Sequence, residues 1–387
     1  MNRLTTPWGV SALARFPEDP RDTLRAWDAA DEYLLRHLAG SDDVPPTDLS
    51  GSGDVVVLGD RWGALVTALA AHHPVQITDS YLGHEATRAN LARNGADPDA
   101  LRLLSTRDTP PERIDVLLVR VPKSLALLED QLHRLAPGIH EGTVVVGTGM
   151  VKEIHTSTLR LFERIIGPTR TSLAEKKARL IFCTPKATPE RTTDPWPLTY
   201  TLDGDAGAGS GITVTNHAGI FCAERLDIGT RFFLQHLPEG TAPARILDLG
   251  CGNGVVGTAA ALARPGAEVV FVDESYQAVA SAEATYRANV PEGGKAEFAV
   301  GDGTAGIPDA SVDLVLNNPP FHSHQATTDA TARRMFAGAR DVLRPGGELW
   351  VVGNRHLGYH VRLRRLFGNC EVVASDPKFV VLRAVKN

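Results

Sequence analysis

The chain of 387 residues has only four cysteines, and none lies near another or near a histidine cluster. Cys183, Cys222, Cys251 and Cys370 make no Cys-x-x-Cys pair, which excludes a disulfide framework and a zinc site and leaves each as a small buried hydrophobe. Long apolar runs are missing too. No uncharged apolar stretch approaches the roughly eighteen residues of a membrane span, and the opening MNRLTTPWGVSALARFPEDPRD has no apolar h-region. The expectation is a cytoplasmic protein with no membrane partner and no metal. Positive charge is not in excess either: 40 Lys and Arg against 46 Asp and Glu give a formal net charge of -6, unlike a strongly basic nucleic-acid binder. What remains is a soluble globular composition, in a chain longer than one hydrophobic core usually supports, so two domains are expected.

Charge is nevertheless uneven. From Lys152 to Arg191 there are nine basic residues (152, 160, 164, 170, 176, 177, 179, 186 and 191) against four glutamates (153, 163, 175 and 190). Such a segment is either a solvated helix face or a surface that contacts phosphates.

From Ala244 the chain alternates β-branched runs with helical periodicity, and glycines mark the junctions. RILDLGCGNGVVGTAAALA leads into AEVVFVDESYQAVASAEATYRANV, with further strands expected at Ala296 to Val300, Val312 to Asn317 and Glu348 to Val352. A closing hairpin is expected from Cys370 to Ala374 and Phe379 to Ala384. This is the pattern of a doubly wound, Rossmann-like parallel sheet. The first half has the same rhythm in DVVVLGDRWGALVTALA, VQITDSYLGHEATRANLARNG and IDVLLVRVPKS, which indicates an internal duplication. In register, Gly59 matches Gly250, but Val57 and Arg61 stand where Asp248 and Gly252 are. Arg120, Val121 and Lys123 stand where Asn318, Pro319 and Phe321 are. The first copy keeps the apolar strands and loses the polar chemistry. Between the copies, Thr184 to Gly211 is rich in Pro, Thr and Gly. Its early part reads as a linker, and PLTYTL with GITVTN reads as a hairpin around a turn at Asp203 to Ser210.

Two motifs in the second copy carry chemistry. In DLGCGNG, Gly250, Gly252 and Gly254 let a helix start close to a ligand, with Asn253 inside the turn. A related turn holds pyrophosphate in dinucleotide-binding folds. Asp248 before the glycines favours the cationic donor S-adenosyl-L-methionine, because a carboxylate attracts an ammonium and repels a pyrophosphate. Asp273 ends the next strand as the expected ribose acceptor, with Glu274 on the opposite side of the strand. Asp302, in the GDG after the third strand, is placed to accept from an adenine amine. The bland alternative for Asp248 and Asp302 is helix or turn capping.

The second motif is NNPPFH, Asn317 to His322. Consecutive prolines cannot continue a ladder, so the chain must leave the sheet after Asn318, at the carboxyl edge where such folds bind ligands. The Asn318 side-chain oxygen and the Pro319 carbonyl can accept both hydrogens of a planar amine, with Pro320 stiffening the turn. That grip favours pyramidalisation and aims the weak lone pair at a methyl donor. Phe321 offers a stacking face worth about 1–3 kcal/mol for a flipped base. A plain loop with a core phenylalanine is the alternative, and His322 and His324 gain no acid–base role from position alone.

DLGCGNGVVG, FVDESYQAVAS, LNNPPFHSHQATTD, GNRHLGYHVRLRRLFGNC and KFVVLRAVK together resemble the bacterial ribosomal RNA guanine-N2 methyltransferases. HAGIFCAERLDIGTRFFLQHLP and GPTRTSLAEKKARL resemble them as well, so the likeness spans most of the chain and is strongest from His217 onward. It is closest to members acting on large-subunit 23S ribosomal RNA. The resemblance implies two tandem Rossmann-like class I methyltransferase domains. Residues 1–190 would be a degenerate copy serving RNA recognition, and residues 191–387 would be the catalytic domain. It implies Asn318, Pro319, Pro320 and Phe321 as the target-amine motif. As donor contacts it implies Asp248, Gly250, Gly252, Asn253, Gly254, Asp273, Asp302 and Asn317. It also brings forward Lys176, Lys177 and Arg179 as RNA contacts. The turn at Asp203 to Ser210 departs from the family as an insertion. From the residues alone, small-subunit 16S RNA, an adenine N6 or a glutamine amide, or a non-catalytic RNA-binding assembly protein stay open. Only the resemblance selects guanine.

Overall fold

The computed structural model describes residues 2–20, 22–186, 194–240, 245–320 and 325–387, with the side chains of 325–329 left aside. It divides into two compact units, Met1–Pro195 and Trp196–Asn387. The first runs β1 (Asn2–Thr6), β2 (Gly9–Leu13), α1 (Ala29–Leu38), β3 (Asp54–Leu58), α2 (Ala64–Ala68), β4 (Val75–Thr78), α3 (Tyr81–Arg93), β5 (Leu103–Ser105), β6 (Ile114–Arg120), α4 (Leu125–Leu135), β7 (Ile139–Met150), α5 (Thr156–Ile165), β8 (Thr169–Thr171) and β9 (Ala178–Cys183). The second runs β10 (Leu198–Thr201), β11 (Thr213–Asn216), α6 (Ile228–Leu234), β12 (Arg245–Leu249), α7 (Val255–Ala263), β13 (Glu268–Asp273), α8 (Tyr276–Asn289), β14 (Lys295–Val300), β15 (Val312–Asn317), α9 (Gln325–Val342), β16 (Leu343–Asn354), α10 (Tyr359–Phe367), β17 (Glu371–Ser375) and β18 (Phe379–Val385). Apart from short 3-10 turns, the two sequences of elements are the same.

Each unit builds a seven-stranded sheet of the same order, β5-β4-β3-β6-β7-β9-β8 and β14-β13-β12-β15-β16-β18-β17. All neighbours are parallel except at one edge, where β9 and β18 run antiparallel. The duplication thus extends to the whole element order. Val57 pairs with Leu118, and Asp248 with Leu316, so the pairings reproduce the register read from the sequence.

Strands buried on both faces need apolar residues at every position. Val55 and Val57 pack into one cluster of the first unit, Val56 and Leu58 into the other. In the second unit Ile246 and Leu247 divide in the same way, and Asp248 interrupts the pattern at the position of Val57. Gly63 and Gly254 open α2 and α7 with φ of 74° and 73°. A Cβ there would lie 2.6 Å from the Cα of Thr87 and of Ala282 respectively, so both conformation and close helix approach require glycine.

The N-terminal hairpin of each unit is fastened by helix side chains. Asn94 exchanges hydrogen bonds with the backbone of Ala12, and Asn90 with that of Ala14. In the second unit Asn289 does the same for Thr213 and Thr285 for Thr215. The open strand edge is thereby satisfied. The hairpin around Asp203 to Ser210 forms, pairing Leu198 with Asn216 through Thr201 with Thr213. Leu202, Ala206 and Ile212 are buried beneath its turn.

Candidate active site

The glycine turn leaves β12 and is pinned to β13: the Gly250 and Cys251 amides both donate to the Val272 carbonyl, at 2.8 and 3.0 Å. Asp273 braces the same turn. Its carboxylate accepts from the amide of Gly252 at 3.0 Å and from that of Ser275 at 3.0 Å, joining the turn to the start of α8. Burial pushes the Asp273 carboxyl up, against these backbone hydrogen bonds. Asp248 is 3% exposed and accepts the Gly257 amide of α7 at 2.8 Å. Burial, with the Asp273 charge beside it, pushes its carboxyl up to about 7. At Gly252 and at Gly303 a Cβ would meet nothing within 4 Å. At Gly252 the turn therefore presents open space beside the half-buried Asp273 and the buried Asp248, a cradle of the kind a nucleoside bearing a positive charge fits.

The remaining expected donor contacts have protein partners of their own. Asn253 Nδ2 donates to Asn216 Oδ1 at 3.0 Å, which ties the turn to β11. Asp302 is ion-paired with Arg334 of α9. Asn317 is fully buried and donates to the Leu249 carbonyl at 2.7 Å, holding the ends of β12 and β15 together.

At the end of β15, Asn318 is half-buried, Pro319 buried and Pro320 exposed. Phe321, His322 and His324 lie outside the described residues. Asn318 Nδ2 donates to Thr230 Oγ1 at 2.9 Å. Among the described residues, Asn318 Oδ1 is shielded from solvent and has no hydrogen-bond partner. An acceptor in that position costs about 1–3 kcal/mol unless a ligand supplies a donor. Thr230, from the first turn of α6, had no place in the sequence reading. The visible signal is Asp227-Ile-Gly-Thr230, an N-cap spacing before a helix: Asp227 accepts the Thr230 amide at 2.9 Å.

The equivalent place in the first unit is closed. Arg120, 1% exposed, reaches Asp28 at 2.7 Å, Glu153 at 2.9 Å and Asp31 at 3.3 Å. Arg61, at the position of Gly252, adds a 2.9 Å bond to Glu153. Burial opposes the Glu153 charge, but Arg120 and Arg61 overcome it and hold the carboxyl at about 2. Asp31, raised by burial and by neighbouring carboxylates, is partly offset by Arg120. A buried ion cluster fills the space where the second unit keeps an open amide.

Lys176 and Lys177 occupy the two central positions of the turn Glu175–Ala178, with φ of 46° and 63°. Both are exposed, Lys176 within 3.6 Å of Glu32, whereas Arg179 is half-buried. Such a turn normally takes Asn and Gly, so two lysines there store backbone strain.

A doubly wound sheet with a glycine turn, acids at successive strand ends and an Asn-Pro-Pro exit defines a class I methyltransferase, here as two tandem Rossmann-like domains. Residues 1–187 match the RLMG N-terminal domain and residues 211–383 the Methyltransferase small domain. The chain is 76% identical over 383 residues to Ribosomal RNA large subunit methyltransferase G of Streptomyces avermitilis, covering 99% of each chain. To the protein of that name from Stutzerimonas stutzeri it is 47% identical over 386 residues, again covering 99% of each. The chain belongs to the ribosomal RNA large subunit methyltransferase G family. Its fold also follows the T. thermophilus 16S rRNA N2 G1207 methyltransferase (RsmC), solved with AdoMet and guanosine. That match has a TM-score of 0.72 at 22% identity and covers 100% of this chain and 98% of the other. Among the described residues no helix is long and apolar enough to cross a membrane, and no cluster of three His, Cys, Asp or Glu side chains could hold a metal ion.

Proposed function

We propose that the second unit transfers a methyl group from S-adenosyl-L-methionine to the exocyclic N2 amine of a guanine in 23S ribosomal RNA, in the cytoplasm. The observation that carries the reading is the shielded Oδ1 of Asn318 at the carboxyl edge of the sheet, which has no partner among the described residues. With the Pro319 carbonyl it accepts the two amine hydrogens, which directs the nitrogen lone pair outward. Pro320 stiffens this turn, and Phe321 is assigned the stacking face. The cofactor supplies an electrophilic methyl on a sulfonium. As the N–C bond forms, the C–S bond breaks, and the amine proton leaves afterwards to water. Asp248 faces the positive end of the donor, Asp273 the ribose and Asp302 the adenine. Gly252 gives the donor room, Gly250 and Gly254 shape the turn, and Asn253 and Asn317 keep the turn and strand ends in place.

The first unit serves RNA recognition in this reading. Its former site is filled by the Arg120 cluster. Its exposed Lys176 and Lys177 project from a strained turn, with Arg179 beside them. Strain held in place by surrounding structure motivates a functional role for the two lysines.

The experiment is mass-spectrometric mapping of methylguanine in both ribosomal RNAs, from cells with and without this gene. Loss of one N2-methylguanine from 23S RNA is expected. Loss confined to 16S RNA would reassign the substrate, and no loss, together with no calorimetric binding of S-adenosyl-L-methionine, would leave an assembly protein.

A further inference from the structure

We infer that Thr230, anchored by Asp227, is a positioning residue that fixes which way the Asn318 amide faces. The inference rests on the proposed acceptor role of Asn318. An asparagine amide can turn over, exchanging its acceptor for its donor, and the turned-over form would present N–H groups to an amine that needs acceptors. The surrounding hydrogen bonds decide between the two.

Thr230 has one hydroxyl hydrogen. Asp227 Oδ2, 3.3 Å from Thr230 Oγ1, is a carboxylate oxygen and accepts, so that hydrogen goes to Asp227. The Thr230 oxygen is then left as an acceptor, and the group 2.9 Å away must be the Asn318 NH2. Oδ1 is consequently turned to the side away from Thr230, where it has no partner among the described residues. Asp227 is itself fixed, because the same oxygen caps α6 through the Thr230 amide at 2.9 Å. The order of donors runs from Asn318 to Thr230 to Asp227, and it starts from a helix cap.

The first unit shows the same positions used differently. Asp28 is the N-cap of α1 as Asp227 is of α6, and Asp31 lies three residues on, as Thr230 does. There the partner at the strand end is Arg120, which reaches both acids. A threonine in place of the second acid supplies the acceptor that an uncharged amide at the strand end needs and adds no charge. An aspartate at position 230 would also accept from Asn318, but it would put a second carboxylate beside the incoming base.

The test compares Thr230→Val, Thr230→Ala and Thr230→Ser in the full chain, using 23S RNA from cells lacking the gene. Thr230→Val keeps the shape and removes the acceptor. The expected result is a fall in kcat of about 10–100-fold, with S-adenosyl-L-methionine affinity and RNA KM within about threefold of wild type. Thr230→Ser should restore most of kcat. Full activity in Thr230→Val, equal loss of cofactor binding, or a serine variant as poor as the valine one would each overturn the inference. Should the valine variant not fold, Thr230→Ala takes its place with the same outcomes. Asn318→Ala, measured alongside, separates the two claims, because full activity there removes the acceptor reading itself.

Discussion

Asn318 and Arg120 stand at the same place in two sheets of identical order, each one step past the paired residue at the end of the strand beside the glycine turn. Asn318 leaves a shielded oxygen without a partner among the described residues, while Arg120 donates to Asp28 and Glu153 and is ion-paired with Asp31. On the proposed function, one site per chain is the expected outcome. Asn318→Ala should lower methyl transfer by more than about 100-fold and leave cofactor affinity within about twofold, read by single-turnover assay and calorimetry. Wild type should bind about one S-adenosyl-L-methionine per chain. Two equivalent sites, or an active Asn318→Ala, would contradict this.

The Arg120 cluster invites its own measurement. Removing one partner of a buried ion group strands the others, at a cost of about 3–5 kcal/mol. Arg120→Leu takes the central cation from Asp28 and Asp31 and leaves Glu153 to Arg61, so urea unfolding of the first unit should shift to lower denaturant. Pairing Arg120→Asn with Asp31→Thr recreates the arrangement of Asn318 and Thr230. The double variant should be more stable than Arg120→Asn alone, and additive losses would mean that the two positions are not coupled.

How much of this was legible beforehand depends on the range of the interaction. The alternating strands and helices, the duplication and the register are local patterns, and β15 emerged with the expected bounds Val312–Asn317. β16 is longer than the expected Glu348 to Val352 because the Pro345-Gly346-Gly347 stretch stays in the strand, which runs Leu343–Asn354. The acids at the strand ends were visible as residues, but their hydrogen bonds were not. Nothing in FVDES shows that Asp273 will take the Gly252 amide, or in GDG that Asp302 will meet Arg334. Thr230 was out of reach because its partner lies 88 residues away in the chain, and only the packing of α6 brings them together.

If Lys176 and Lys177 contact phosphates, their effect should depend on salt. Lys176→Glu with Lys177→Glu should weaken binding of 23S RNA and reduce the slope of log affinity against log salt by about 1–2. Cofactor affinity should not move. Lys176→Asn with Lys177→Gly is avoided as a charge test, because relieving the strained turn would change stability at the same time. Unchanged affinity and slope in the charge-reversed variant would take the turn out of the RNA surface.

Asp248 yields a prediction with opposite signs for stability and for binding. Its carboxyl sits at about 7 in the folded protein against an ordinary 3.8, because burial penalises the charge. The folded state therefore holds a proton that the unfolded chain has already lost between those values. The stability this group contributes is fully present below the lower value and is lost as pH rises through about 7. Asp248→Asn can still accept the Gly257 amide and carries no charge, so at pH 8 the variant should be more stable than wild type by about 1–3 kcal/mol. Cofactor binding should go the other way. The ionised carboxylate attracts the ammonium of S-adenosyl-L-methionine, so wild-type affinity should rise with pH through this range, whereas the variant should bind at least about tenfold more weakly and without that rise. Calorimetry at pH 6 and pH 8, alongside thermal melts, checks both signs. A variant that is stabilised yet binds as wild type does would confine Asp248 to holding α7, the task that Asp60, from a different position in the first unit, performs for α2 by accepting the Val66 amide at 2.9 Å.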